Sequence, residues 1–293
     1  MSLQAPINFV SLIAAEMARL HRMPVTKAGP KGRAEVWETI PRWLQLAKGL
    51  TFDDEAKAAA VKALDLEWVC QEIAWVQRQL RYSHGAHGEN EESAVATLEN
   101  GGSTKGKDDV PVGLEDETVK DRARRYLSEV VLSHNDLLSG NVMYADGWEK
   151  VQVIDFEYSG YNPRGFDIAN HFCEHAGFDS NFAKSYPCEE TQIAFLTDYV
   201  RAVEKSRKTH EGGDTTTTSP GENMSTSPLA DDASFIAGLM TEVNRWTLPS
   251  HLWWTAWAVV QARYSPINFD FVDYARLRLA GYRLHKKIFF GSE

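Results

Sequence analysis

Basic side chains are in short supply: 31 lysines and arginines against 41 aspartates and glutamates leave a formal charge of −10. A nucleic-acid partner needs a basic face, so the balance argues against one. Cysteine is scarcer still. Cys70, Cys173 and Cys188 are an odd set with no Cys-x-x-Cys spacing. That usage argues against a disulfide framework or a zinc-cysteine cluster and fits a reducing compartment, so a cytoplasmic location is expected. Long apolar runs are also missing. The most apolar stretch, around Leu252–Val260, falls far short of the roughly 20 residues that a membrane helix needs. The first residues lack a basic segment ahead of their apolar stretch and carry Glu16 within it, so no secretion signal is expected.

What remains is an ordinary globular balance, 43% hydrophobic and 25% charged. Two segments stand apart, residues 82–117 and 204–232, rich in Gly, Ser, Thr and acidic side chains and poor in large apolar ones. Both are expected to be disordered insertions in a single domain spanning 1–293, because they cannot offset their ordering entropy by burial. Between them the pattern is mostly helical. Phe9, Leu12, Ile13, Met17 and Leu20 repeat at 3-to-4 spacing, which predicts a first amphipathic helix. Thr51 and Asp54 read as a capping box that opens a long helix burying Leu66, Val69, Ile73, Val76 and Leu80. Further helices are predicted over 233–246, 249–263 and 269–287.

The centre reads differently. Glu129–Ser133 is short and β-branched, and residues 141–144 and 151–154 flank Asp146-Gly147, a dipeptide that favours a tight hairpin. A small sheet inside a helical body follows. Polar residues cluster at its strand ends. His134-Asn-Asp136 with Asn141 makes a His-x-Asp-x-x-x-x-Asn pattern directly after the first strand, and Asp155-Phe-Glu157 closes the return strand. Phosphoryl transfer needs one carboxylate to orient the attacking hydroxyl and other oxygen ligands to hold Mg²⁺ on the phosphates of ATP. Asp136 suits the first task; Asn141 and Asp155 suit the second. Taken singly, an aspartate after a strand is most often a turn residue. Two such motifs in order around one hairpin argue for a phosphotransferase.

Residues 154–175, IDFEYSGYNPRGFDIANHFCEH, resemble the signature of choline and ethanolamine kinases. Ser250–Ser265, followed by Phe269-Asp-Phe and Tyr274, resembles the C-terminal helices of the same family. The resemblance implies a protein-kinase-like C-terminal lobe of α+β class, mostly helical, with a small β-hairpin sheet. It implies Asp136 as catalytic base, Asn141 and Asp155 as ligands of the Mg²⁺ that accompanies ATP, and Glu157 as their helper. It also implies that Glu174 faces the cationic nitrogen of the acceptor, inside a pocket walled by Tyr158, Trp254, Trp257 and Tyr274. An ammonium is well held by aromatic faces with a carboxylate behind them. From spacing alone Trp254 and Trp257 would read as core, since i and i+3 on an apolar helix form a buried stripe. Asp167 is expected to pin the catalytic loop by backbone hydrogen bonds. HNDLLSGN, SGYN and EHAGF look closer to the ethanolamine enzymes, so ethanolamine is the expected acceptor and choline the alternative, with homodimerisation left open.

The same resemblance implies an N-terminal lobe with a Gly-rich phosphate loop and a strand lysine. No such segment is legible ahead of Asn8, so the ATP-binding lobe is expected to be largely missing and ATP binding by this chain alone to be weak. Gly101–Lys107 has the glycines and lysine of a phosphate loop, but Asp108 stands where Ser or Thr is required. Two rival readings accompany the kinase. One is an inactive pseudokinase acting as a binding module. The other is a zinc hydrolase using His171-x-x-Glu174-His175, which leaves the His-x-Asp loop unexplained and has no third ligand in sight.

Overall fold

The computed structural model describes residues 8–24, 34–80, 118–211 and 228–291. Helix α1 (Phe9–His21) forms where its apolar spacing predicts and is capped by Asn8, whose side chain accepts from the Ser11 N–H. Helices α2 (Val36–Lys48), α3 (Glu55–Lys62), α4 (Leu66–Leu80) and α5 (Val119–Ser128) follow. Strands β1 (Val130–Ser133), β2 (Val142–Met143), β3 (Gln152–Val153) and β4 (Gly160–Pro163) occupy the centre. The chain then returns to helix: α6 (Arg164–Glu174), α7 (Phe182–Ser185), α8 (Glu189–Glu211), α9 (Ala233–Arg245), α10 (Thr247–Tyr264) and α11 (Phe271–Phe290). Among the described residues no helix is long and apolar enough to cross a membrane.

Helix α10 is the hub. It is buried without interruption from Thr247 to Ala256 and packs on α11, α2, α6 and α4. A helix that is apolar on every side must be enclosed on every side. Gly281 lets α11 approach that hub: a Cβ there would lie 2.5 Å from Phe182 Cδ2 and 2.7 Å from His251 Cε1. Helix α1 packs on α8, and α5 on α9, which closes one contiguous apolar core.

Two small antiparallel sheets sit against this body. β1 pairs with β4 from Val130↔Pro163 to Ser133↔Gly160, and β2 pairs with β3 through Val142↔Val153 and Met143↔Gln152. The partner of β1 is thus a strand the sequence reading missed. Its register matters for function, because β1 runs straight into the His134 loop and β4 straight into α6. The N-terminus of α2 is tied to β4 as well: Val36 N–H donates to Asn162 Oδ1 at 2.7 Å, and Glu35 and Tyr161 exchange bonds of 2.9 and 3.0 Å.

Several sequence expectations are corrected. The predicted long helix after Thr51 is two helices. Asp54, not Thr51, caps α3 by accepting from Ala56 and Lys57 N–H. Asp65, at φ 54°, breaks the run and takes the Trp68 N–H to start α4. The tight two-residue hairpin at Asp146-Gly147 is instead the tip of a longer connection. Trp148 N–H bonds Ala145 O at 3.0 Å around Gly147 at φ 87°, but the ladder closes only at Met143↔Gln152. Segment 204–232 is structured at both ends. Helix α8 continues to Glu211, a 3-10 turn covers Leu229–Asp231, and the Glu204 carboxylate joins them by accepting from Leu229 and Ala230 N–H. Residues 212–227 and 81–117, including the Gly101–Lys107 stretch, lie outside the described residues.

Gly281→Ala should lower the melting temperature, since overpacking a close helix contact costs about 1–3 kcal/mol. Thermal denaturation of wild type and variant checks this; an unchanged midpoint would show that Phe182 moves aside freely.

Candidate active site

The site is built around one buried carboxylate. Asp167, in the first turn of α6, accepts from His134 N–H at 2.9 Å and Asn135 N–H at 2.7 Å. Its Oδ2 also accepts from His21 Nε2–H at 2.8 Å, while His21 Nδ1 accepts the Tyr199 hydroxyl at 2.6 Å. Burial opposes the charged form of Asp167, yet the His21 bond and the two backbone donors outweigh it and hold the carboxyl below its usual range. Burial likewise pushes His21 down despite its partner, so a neutral imidazole bonds a charged carboxylate. The expected role of Asp167 as a structural pin is what the geometry displays.

That pin holds Asn135 in the left-handed region at φ 64°. Asparagine tolerates this conformation, and here three more bonds secure it. Its amide donates to Tyr158 O at 2.8 Å, its Oδ1 accepts from Asn162 at 3.1 Å, and its carbonyl accepts from Asn170 at 2.9 Å. The backbone therefore turns sharply and projects Asp136 into a cleft. His134 contributes from the preceding position by donating through Nε2 to Ile154 O at 2.9 Å. The same Ile154 gives its N–H to Asn141 O at 3.0 Å. Two bonds to one residue bring the return strand against the loop, with Asp155 next along it at φ 63°. Asn141 is thus paired through its backbone with Ile154, the residue before Asp155.

Asn141 Nδ2 donates to the Asp136 backbone oxygen at 2.8 Å and to Asp136 Oδ2 at 3.1 Å. Its nitrogen is thereby engaged, leaving Oδ1 as the donor atom for a cation. With the exposed carboxylates of Asp155 and Glu157 this makes an oxygen-only set, the chemistry that Mg²⁺ prefers. Burial and the charge of Glu174 push the Asp136 carboxyl up to about 7, with Asp155 and Glu157 adding to the rise and the Asn141 bond partly offsetting it. The site is short of positive charge.

A cavity of about 180 Å³ opens at Asp136 and is lined by Glu157, Tyr158, Glu174, Trp254, Trp257 and Tyr274. Every residue expected to wall an acceptor pocket is there. The rings meet edge to face: Tyr158–Trp254 centroids are 5.4 Å apart, Trp254–Trp257 5.2 Å and Trp257–Tyr274 6.3 Å. Trp257 Nε1–H bonds the Tyr158 hydroxyl at 2.9 Å, and Trp254 Nε1–H bonds Asn170 Oδ1 at 2.8 Å. Trp254 is therefore both core and wall, at 4% exposure. Leu138, Phe178 and Phe269 complete the lining and were missed. Phe178 is 70% exposed and meets Phe269 at 5.8 Å, so both are loop residues with no periodic signal to mark them. Arg278, which pairs with Glu174 at 3.2 Å, was also missed.

The His-x-x-Glu-His pattern is divided among other tasks. His171 Nδ1–H donates to Leu137 O at 2.7 Å and so props the loop, while Glu174 is held by Arg278 and His175 is exposed. Among the described residues no metal-ligand cluster gathers the three.

A strand feeding an Asp136 loop, a hairpin returning to Asp155 and a helical body beneath them define the protein-kinase-like class of fold. The choline/ethanolamine kinase family model matches residues 115–283, more than half of the sequence. The chain belongs to that family. It is 38% identical over 168 residues to the probable ethanolamine kinase A of Dictyostelium discoideum, covering 57% of this chain and 41% of that protein. It is 30% identical over 271 residues to ethanolamine kinase 2 of Mus musculus, covering 92% and 52%. Its fold is similar to that of a solved Plasmodium vivax ethanolamine kinase, with a TM-score of 0.64, 23% identity and coverage of 94% of this chain and 60% of the other. The chain spans about half the length, or less, of these curated relatives.

Two outcomes are expected. Asp167→Ala should destabilise by about 1–3 kcal/mol for each donor left buried without an acceptor, the His134 and Asn135 N–H groups and His21 Nε2–H, read as a fall in the denaturation midpoint. Binding of a divalent cation near pH 7 should release protons from Asp136, because a cation favours the carboxylate and lowers its raised pKa of about 7. Calorimetry in buffers of different ionisation enthalpy measures that release; Asp136→Asn should remove it.

Proposed function

We propose that this chain provides the acceptor and metal side of an ethanolamine kinase, which moves the γ-phosphoryl group of ATP to the ethanolamine hydroxyl. One observation carries the reading: Asp136 and Glu174 share a single small cavity whose remaining walls are largely aromatic. The acceptor's ammonium sits against Glu174 and the faces of Tyr158, Trp254, Trp257 and Tyr274, where a desolvated cation is stabilised by ring quadrupoles and a carboxylate. Its hydroxyl then points toward Asp136. As the new oxygen–phosphorus bond forms and the bond to the ADP leaving oxygen breaks, the hydroxyl proton passes to Asp136.

Asn141 Oδ1 and Asp155 would hold Mg²⁺, with Glu157 near it; the ion supplies positive charge to the transferring phosphoryl group. Asp136 remains a proton acceptor because Asn141 orients it and the surrounding acids keep it weakly basic. A primary ammonium can donate to a carboxylate oxygen, whereas a trimethylammonium cannot, which favours ethanolamine over choline. The names of the curated relatives support the same acceptor. A cytoplasmic location is part of the reading, supported by three free cysteines.

The test is phosphoethanolamine formation from labelled ATP with Mg²⁺, choline being offered in parallel. Asp136→Asn should lower kcat about 100- to 10,000-fold, the usual contribution of a positioned base. Turnover that survives this change would remove Asp136 from its role. Ethanolamine binding with no turnover in wild type is what the acceptor and metal side alone, or a pseudokinase, would give, and absence of binding would sink the acceptor assignment.

A further inference from the structure

Glu174 is an awkward residue for a cation site, because it is nearly enclosed. Its side chain is 11% exposed, and Arg278 beside it is 2% exposed. The guanidinium is held from several sides. Arg278 Nη1 donates to Glu174 Oε1 at 3.2 Å and approaches the Tyr274 hydroxyl at 3.4 Å, while Nη2 donates to Ser250 Oγ at 2.9 Å. The Ser250 hydroxyl donates in turn to Asn170 Oδ1 at 2.7 Å, and Asn170 Nδ2 donates to Asn135 O at 2.9 Å. Asn170 and Glu174 are i and i+4 on α6, so they lie on one face of that helix. A continuous run of hydrogen bonds therefore leads from the backbone of the Asp136 loop to the carboxylate at the far side of the cavity.

We propose that Arg278 is a positioning residue for the acceptor: it fixes Glu174 by one oxygen so that the other is presented to the cavity, in register with the loop that carries Asp136. This rests on Glu174 being the carboxylate that meets the ammonium. The planar fork of arginine suits the task, since one nitrogen serves Glu174 while the other serves Ser250. A lysine would supply charge without that geometry. Electrostatics adds a second requirement. Burial raises the Glu174 carboxyl, and Arg278 acts in the opposite direction through both its charge and its hydrogen bond. The other titratable groups around Glu174 are Tyr274 on α11, Asp136 and Glu157 across the cavity, Cys173 on its own helix and His175 just past the end of that helix. None is a cation at neutral pH; burial lowers His175 and lifts Cys173 to about 12. Burial prevails in this balance and the Glu174 carboxyl stays above its usual range, so Arg278 is the positive charge that limits the rise.

The sign of the pH effect follows. Without Arg278 the Glu174 carboxyl rises further, so the pH needed to ionise it moves upward. Affinity for an ammonium is then weakened most at the lower end of the pH range and regained as pH rises. The ratio of wild-type to variant affinity at each pH reports the change at Glu174 together with the relief it gives Asp136, which the Glu174 charge otherwise raises.

The experiment is ethanolamine affinity by calorimetry as a function of pH, kept below the range where the acceptor's own ammonium titrates. Arg278→Met should raise Kd about tenfold or more at neutral pH, equivalent to about one pKa unit of lost charge stabilisation. The gap from wild type should narrow as pH is raised. Arg278→Lys should fold, weaken binding measurably but less than Arg278→Met through the lost fork, and leave the pH profile unchanged. Equal Kd for Arg278→Met and wild type overturns the proposal. A loss identical at every pH also overturns it, by showing a merely structural defect. Should Arg278→Met not fold, Arg278→Lys decides, and wild-type affinity in that variant overturns the proposal. Glu174→Gln separates the two layers. If it leaves Kd unchanged, the acceptor reading itself fails; if it weakens binding while Arg278→Met does not, only the role of Arg278 fails.

Discussion

The buried Asp167 carboxylate is the interaction on which the remaining geometry depends. A charge enclosed this fully is tolerable only when its oxygens are filled by donors, and here the donors come from separate parts of the chain. Two are backbone N–H groups of the loop after β1; the third is His21 at the end of α1, itself bonded to Tyr199 on α8. The demand of one carboxylate thus joins the first helix, the loop, α6 and α8. With the loop pinned, Asn135 adopts its left-handed turn, Asp136 projects into the cavity, and His134 and Asn141 engage Ile154 to bring Asp155 alongside.

The cavity expresses the opposite constraint. Asp136 and Glu174 converge where burial disfavours charge, with the exposed Glu157 at the cavity's edge, and the Asp136 carboxyl is pushed up to about 7 rather than staying in the ordinary acidic range. Such a region attracts cations, and the proposed reaction requires two, a metal ion and an ammonium. The aromatic walls contribute attraction without adding negative charge. Their rings are locked by edge-to-face contacts and by indole N–H bonds to Tyr158 and Asn170, so the walls are set before any ligand enters.

The sequence by itself determined the chemistry-bearing residues and much of the helical plan. Asp136, Asn141 and Asp155 were legible because a strand, a polar motif of fixed spacing and a turn dipeptide are local signals. Glu174, Tyr158, Trp254, Trp257 and Tyr274 were legible only through family resemblance, since spacing alone would have made the tryptophans core; the fold makes Trp254 both. Helix α2 went unread because Pro41 interrupts its pattern, and α5 because only Ala123 and Leu127 are buried on it. Tertiary structure decided the rest. The pairing of β1 with β4, the ties from Glu35 and Val36 to β4, and the convergence of His21, Asn170, Ser250 and Arg278 join residues that lie tens to hundreds of positions apart in sequence. A buried arginine carries no periodic or motif signal. Its role exists only when three helices pack and leave a carboxylate beside it, because hydrogen bonding and charge stabilisation act over a few ångströms in space and are blind to sequence separation.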